Sequence, residues 1–219
     1  MQRRLFLAGA VGMVAGPALG QTEPALTSPP LPDTPVPPKP VKGVVKVRIE
    51  TSLGSIILEL RGDKAPITAA NFLRYVDQKR YDLATFYRAS RPPNATDYEY
   101  GVVQGGLQNN PKLILPPIAH ESTTKTGLKH TNGAISMGRR APGTATSDFF
   151  ICVGDQAYLD ADPSQSGDNK GYACFGYVVE GLDIAKKIMA QPLSPSAGVG
   201  VMKGEMLRKP LAMKIRRTV

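Results

Sequence analysis

VVKVRIETSLGSIILEL, residues 44–60, is the stretch whose reading decides the fold. Val45, Val47 and Ile49 alternate with Lys46, Arg48 and Glu50; Ser52-Leu53-Gly54 offers a turn, and Ile56, Leu58 and Leu60 resume the alternation. A period of two places successive side chains on opposite faces of a strand, so these residues read as a β-hairpin with one buried face. Directly after it, Pro66 suits the first turn of a helix, and Ala69, Phe72, Leu73 and Val76 recur at the spacing of one helical face. Further along, short apolar stretches at Val102-Val103, 134–137, 149–153 and 173–179 are separated by Gly, Pro and Asn and read as more strands. Leu182, Ala185, Ile188 and Met189 suggest a second helix, and Leu211, Met213 and Ile215 alternate with Ala212, Lys214 and Arg216 in a closing strand. Pairing of the first strand with the last would shut a barrel and remove its exposed edges.

Upstream of the hairpin the chain changes character twice. Gln2-Arg3-Arg4-Leu5-Phe6-Leu7 leads into a mild apolar core, and small residues at Ala18 and Gly20 suit a signal peptidase, so residues 1–20 read as a signal peptide. The Arg3-Arg4-x-Phe6-Leu7 order resembles a twin-arginine export signal, with Gln2 where Ser or Thr is usual; a plain secretory signal is the alternative. Either reading implies export, most simply to a periplasm. Residues 21–43 hold Pro24, Pro29, Pro30, Pro32, Pro35, Pro37, Pro38 and Pro40 with almost no large apolar side chain. Such a tract favours extended polyproline II and reads as a stiff linker, or as a ligand for a proline-reading partner. The domain proper is then 44–219.

The 219 residues leave room for one well-cored domain plus appendages. Lys and Arg total 27 against 18 acids, a net charge of +9, but the basic residues are scattered or paired with acids and form no stripe, so no nucleic-acid partner is expected. Apart from the weak N-terminal stretch, no apolar run reaches the length a bilayer needs, so no stable membrane insertion is expected once the signal is removed, and the domain is expected to act as a monomer. Metal chemistry has little to work with. His120-Glu121 has Thr124 where a zinc helix needs its second histidine, and Cys152, Cys174 and the two histidines contain no close ligand pair. Asp160, Asp162, Ser164 and Asp168 imitate a calcium loop, yet Gln165 stands at the turn glycine and Gly171 at the bidentate acid. Both histidines therefore read as surface residues, 160–171 as a polar loop and Gly198-x-Gly200 as loop glycine.

The remaining constellation is Phe86-Tyr87-Arg88, Val102-Val103-Gln104-Gly105-Gly106, Thr131-Asn132-Gly133-Ala134-Ile135-Ser136-Met137-Gly138, Ser147-Asp148-Phe149-Phe150-Ile151-Cys152, Tyr158-Leu159-Asp160 and Tyr172-Ala173-Cys174-Phe175-Gly176. In order, spacing and flanking hairpin and helix it is similar to the cyclophilin family of peptidyl-prolyl cis–trans isomerases, over about 44–219. The resemblance implies a mainly β fold: a closed eight-stranded antiparallel barrel capped by two α-helices, with a groove on its outer face and no cofactor. Arg88 falls on the family's catalytic arginine and Gln104 on the glutamine that orients it. Phe150 and Leu159 match walls of the proline pocket, with Val102 in place of a larger apolar residue. Gly138, Arg139, Arg140, Asp148, Tyr158 and Tyr172 fall on further substrate-binding positions. The substrates implied are Xaa-Pro segments of unfolded or partly folded exported proteins. The alternative function is a proline-peptide binding module or chaperone that keeps the groove with little turnover.

Departures from the family pattern lie around the groove. Arg88 and Gln104 are sixteen positions apart, about twice the family separation, so 91–100 reads as an inserted loop. Gly101 then occupies the place of a pocket phenylalanine, and Tyr100, or failing it Tyr98, is expected to lean in as a substitute. Asp148 replaces a glutamine, Tyr158 a frequent tryptophan and Tyr172 a frequent histidine. Arg139 and Arg140 make one end of the groove more cationic, which favours acidic substrates. Met137, Phe86 and Phe175 read as core. Cys152 and Cys174 lie amid apolar residues and are expected to be buried, as free thiols in preference to a disulfide.

Overall fold

A computed structural model describes residues 38–218; the expected signal peptide and most of the proline tract, residues 1–37, lie outside the described residues. β1 (Val44–Thr51) and β2 (Gly54–Arg61) form the hairpin, with Thr51 opposite Gly54 at the turn. Val47, Ile49, Ile56, Leu58 and Leu60 are fully buried while Lys46, Arg48 and Glu50 face solvent, as the alternation requires. α1 (Pro66–Asp77) begins on its proline, and its first turn is satisfied from far away. Glu121 accepts the Ile67 and Thr68 N–H groups and the Thr68 hydroxyl at 3.3, 2.8 and 2.7 Å, placing a carboxylate at the positive end of the helix.

Eight more strands and two more helices follow: β3 (Thr85–Ser90), β4 (Gly101–Gly106), α2 (Thr123–Thr126), β5 (Ala134–Met137), β6 (Phe149–Val153), β7 (Ala173–Glu180), α3 (Leu182–Met189), β8 (Leu193–Ser194), β9 (Met206–Ala212) and β10 (Lys214–Arg217). All ten strands belong to one curled antiparallel sheet in the order β10-β1-β2-β7-β5-β6-β4-β3-β9-β8. The strand count differs from the expected eight for two local reasons. The closing strand is interrupted at Met213, so that β9 pairs with β3 and β10 with β1, and the two-residue β8 adds itself to β9. A third helix, the four-residue α2, adds to the two expected.

α1 packs against β2, β7 and β10, and α3 against β2, β3, β4 and β6. Between them lies an aromatic core centred on Phe72, whose ring meets Tyr81, Phe149 and Phe175 at centroid distances of 5.0, 5.4 and 5.3 Å. Tilted and edge-on contacts of this kind add to the apolar area the rings bury. Met137, Phe86 and Phe175 are fully buried. Cys152 on β6 and Cys174 on β7 are buried free thiols, with β5 lying between their strands. Burial pushes both thiols above their ordinary range, Cys174 to about 11. Among the described residues no helix is long and apolar enough to cross a membrane.

Candidate active site

The groove is built around an irregularity in β3. Pairing of β3 with both β4 and β9 shifts register between Phe86 and Arg88, so a bulge at Tyr87 re-aims the strand just before its arginine. Arg88 then stands opposite Gln104 on β4 and Met206 on β9. The sixteen-residue separation in sequence is thus a direct neighbour in the sheet, with 91–100 as the loop of the hairpin. Gln104 Oε1 accepts Arg88 Nη1–H at 2.7 Å. On the other side of the guanidinium, Glu205 Oε2 accepts Nε–H at 2.8 Å and forms an ion pair with Nη2 at 2.6 Å, while Oε1 takes the Ser90 hydroxyl at 2.7 Å.

From this cluster a groove of about 510 Å³ runs across the outer face of β4 and β6. All the residues singled out in sequence line it together: Arg88, Gln104, Val102, Gly138, Arg139, Arg140, Asp148, Phe150, Tyr158, Leu159 and Tyr172. Phe150 is its apolar floor, 6% exposed, with Tyr172 edge-on at 5.3 Å. Val102 and Leu159 flank it, and Tyr158, 71% exposed, stands at the rim. Val201 and Met202, from the segment that precedes β9, and Met206, its first residue, add an apolar lip. A chain passing over Phe150 therefore meets the Arg88 guanidinium on one side and Val102 and Leu159 beside the ring, with Arg140, Gln108 and Asn109 also in the lining.

Several expectations are corrected here. Neither Tyr98 nor Tyr100 lines the groove. The inserted loop is drawn toward α3 instead: Glu99 pairs with Lys186, Arg91 Nη1 donates to Gln191 O at 3.4 Å, and the Arg91 guanidinium lies 4.9 Å from the Tyr98 ring. The space left at Gly101 cannot take a ring from that position either. With φ at +146°, a Cβ on Gly101 would lie 2.2 Å from Ser90 O.

The cationic end of the groove is half neutralised. Arg139 has only 4% of its side chain exposed; it pairs with Asp168 at 2.6 Å, donates to Gly171 O and lies over the Tyr172 ring at 5.0 Å. Only Arg140 of the two arginines is exposed there. Asp148 is 3% exposed, and its carboxylate turns to the backbone of the neighbouring loop. Oδ1 accepts the Gln108 N–H at 2.8 Å, and Oδ2 is buried with no hydrogen-bond partner. Burial outweighs those amide bonds and pushes Asp148 up to about 6.

His130 is not a surface residue. It is 1% exposed beneath Phe150, ring stacked on ring at 6.0 Å. Its Nδ1 meets Asp160 Oδ1 at 2.7 Å and its Nε2 meets Ser136 Oγ at 3.0 Å. Burial lowers its pKa against the pull of Asp160, so the neutral ring donates to Asp160 and accepts from Ser136. Glu205, Ser90 and the apolar lip were not found by sequence reasoning. Glu205 lies ahead of the alternation that begins at Leu211 and marked the expected closing strand, so no sequence pattern pointed to it.

Residues 46–209 match the model of the cyclophilin-type peptidyl-prolyl cis–trans isomerases. The chain belongs to this family. A peptidyl-prolyl cis-trans isomerase of Acinetobacter baylyi is 38% identical over 151 residues, 68% of this chain and 73% of that one. The peptidyl-prolyl cis-trans isomerase B of Escherichia coli is 35% identical over 143 residues, 65% of this chain and 82% of the relative. In fold, a cyclophilin-type isomerase of Cryptosporidium parvum is similar with a TM-score of 0.63 at 20% identity, covering 81% of this chain and 99% of that one. A second structure of that protein, obtained in the presence of the dipeptide Ala-Pro, gives a TM-score of 0.61. This cyclophilin is accordingly an enzyme of the prolyl isomerase class, and its Arg88–Gln104 pair sits in the groove that Phe150 floors.

Proposed function

We propose that this cyclophilin accelerates cis–trans isomerisation of Xaa-Pro bonds while exported proteins fold, acting as a monomer that is free of the membrane once residues 1–20 are removed. In this reading the interrupted β9–β10 strand closes the sheet into the barrel of the family. Rotation about the prolyl bond meets a barrier of about 18–20 kcal/mol because amide resonance must be broken. As resonance is lost the prolyl nitrogen gains a lone pair, which a donor already in place stabilises in the transition state more than in either ground state. Arg88 is such a donor: it cannot deprotonate, and its guanidinium is held rigidly beside the apolar floor. Proline packs on Phe150 between Val102 and Leu159, while the Gln104 amide meets the peptide backbone.

The single observation that carries this reading is the guanidinium fixed on both sides at the edge of an apolar pocket. An Ala-Pro dipeptide present with the Cryptosporidium relative supports proline-containing peptides as ligands. NMR exchange on an Xaa-Pro peptide tests it. Arg88→Ala is expected to lower kcat/KM by about 100-fold or more, the usual size for loss of one preorganised donor. Binding without turnover by the native chain would favour the peptide-binding module. Export is tested by fractionation: Arg3→Lys/Arg4→Lys retained inside the cell indicates the twin-arginine route, and unaffected export indicates the plain secretory one.

A further inference from the structure

Arg88 carries five N–H donors, and three are committed within the protein. Nε–H donates to Glu205 Oε2 and one Nη1–H to Gln104, and Nη2 is engaged as an ion pair with that same Glu205 oxygen at 2.6 Å. Two N–H groups remain, one on each terminal nitrogen. The bond to Gln104 fixes a point, about which the guanidinium plane is free to swing. The contact to Glu205 holds the Nε edge as well, so the guanidinium is held from two sides and can no longer swing freely about the Gln104 bond.

Glu205 is itself held. Its N–H donates to Met202 O at 3.1 Å, its carbonyl accepts the Ala89 N–H at 2.9 Å, and its second carboxylate oxygen takes the Ser90 hydroxyl. Ser90 lies two residues beyond Arg88 and so on the same face of β3, which places both partners of Glu205 on one line. The pair is 18% and 25% exposed, at the wall of the groove and not out in solvent.

We infer that Glu205 is a positioning residue for the isomerase: by occupying the Nε edge of the Arg88 guanidinium it turns the two uncommitted N–H groups into the groove, toward the prolyl nitrogen. The inference rests on the isomerase reading of Arg88. It separates geometry from charge. Both contacts from Arg88 go to a single oxygen, so glutamine, with its carbonyl at that place, keeps them without the negative charge, and its amide nitrogen faces the Ser90 hydroxyl. Aspartate keeps the charge and withdraws it by one methylene.

The test uses the full chain, labelled with 15N-arginine, and exchange kinetics on one Xaa-Pro peptide. Glu205→Ala is expected to lower kcat about 10-fold with KM within about twofold, the pattern of lost alignment and not of lost binding. Glu205→Gln is expected to return to within about threefold of native, and Glu205→Asp to fall with alanine. The Arg88 Nε–H resonance is expected to exchange slowly with solvent in the native and Gln forms and to broaden or vanish in the Ala and Asp forms. Native kcat in Glu205→Ala or Glu205→Asp, with that resonance lost, overturns the inference, since the guanidinium would then be free at no cost. A Gln form as slow as Ala overturns it too, because charge would decide and not orientation. If Arg88→Ala itself turns over at the native rate, the isomerase reading of Arg88 fails. A slow Arg88→Ala beside an unimpaired Glu205→Ala removes the role of Glu205 alone.

Discussion

The two sides of the groove are built on opposite plans. On the arginine side the guanidinium, Gln104, both oxygens of Glu205 and the Ser90 hydroxyl form one connected set drawn from β3, β4 and the residue before β9. Away from that set a carboxylate, Asp148, is buried beside Gly106 with one oxygen unanswered, and at the other end of β4 Gly101 has no room for a side chain. Fixed polar geometry is needed where a lone pair must be met, whereas apolar shelter for a proline tolerates a looser wall. The arginine side therefore tolerates little rearrangement, and the pocket side holds the molecule's adjustable and less stable features.

Gly101 gives the largest effect on stability that this contrast produces. Its φ of +146° and the 2.2 Å approach of Ser90 O leave no room for a Cβ. Gly101→Ala should cost about 3 kcal/mol, combining backbone strain with overpacking. A Cβ on Gly138 would lie 3.3 Å from Asp148 O and 3.5 Å from Gln104 Nε2, with no left-handed backbone. Gly138→Ala should cost less than about 1 kcal/mol, as mild crowding does. Urea unfolding of the two variants measures the difference, and equal losses would refute the assignment. By the same geometry Gly101→Phe is expected to lose the fold and not to fill the pocket.

Asp148 comes next. Its folded pKa, about 6, lies above the ordinary carboxylate value of 3.8. Between about pH 4 and 6 the folded state therefore binds more protons than the unfolded one, and its stability falls as pH rises through that window. Above it a penalty of about 3 kcal/mol persists, at roughly 1.4 kcal/mol for each pH unit that separates the folded from the unfolded value. His130 slopes the other way: its lowered pKa makes the fold lose stability as pH falls below the ordinary imidazole range near 6.5. Asp148→Asn keeps an oxygen for the Gln108 N–H and removes only the first slope. The stability difference between Asn and native forms should grow from near zero at pH 4 toward about 3 kcal/mol at pH 7. A difference that does not change with pH would show that this carboxylate is not the source.

Much of this was legible in the sequence, and the pattern of failures has a physical cause. Alternation at 44–60 and the helical spacing from Ala69 to Val76 report which face of an element is apolar, and burial follows that pattern at Val47, Ile49 and Phe72. They do not report which distant group the fold brings to a polar side chain. Glu205 meets Arg88 across 117 positions, Glu121 caps α1 across 53, and Asp168 neutralises Arg139 across 29. No local periodicity encodes those partners. His130 reads wrongly as a surface residue for the same reason: its solvation comes from Asp160 and Ser136, so a residue polar in isolation is completed inside. Resemblance placed Arg88 and Gln104, because a family motif carries long-range contacts that composition does not. It was silent about residues outside the quoted motifs, such as the lip of Val201 and Met202.

The smallest effect is expected at the inserted loop, where the sequence suggested the largest compensation. Tyr100 is 46% exposed, and Tyr98 packs under Arg91 with its backbone at φ of +51°. Tyr98 follows Arg91, which reaches Gln191 beyond α3, while Tyr100 lies against Gly154 just past β6, and neither lines the groove. Removing both rings forfeits one cation–π contact and some partly buried area, about 1 kcal/mol in all. It touches no group that meets the peptide. Tyr98→Ala/Tyr100→Ala should therefore unfold at slightly lower urea while keeping kcat/KM within about twofold of native, the insensitivity expected of a site remote from the reacting atoms. Stability and turnover part company in this variant, whereas Arg88→Ala should lose turnover with little change in stability. A tenfold loss of kcat/KM in the double variant would bring a tyrosine back over the proline pocket, and the looser side of the groove would then have to be redrawn with that ring as its missing wall.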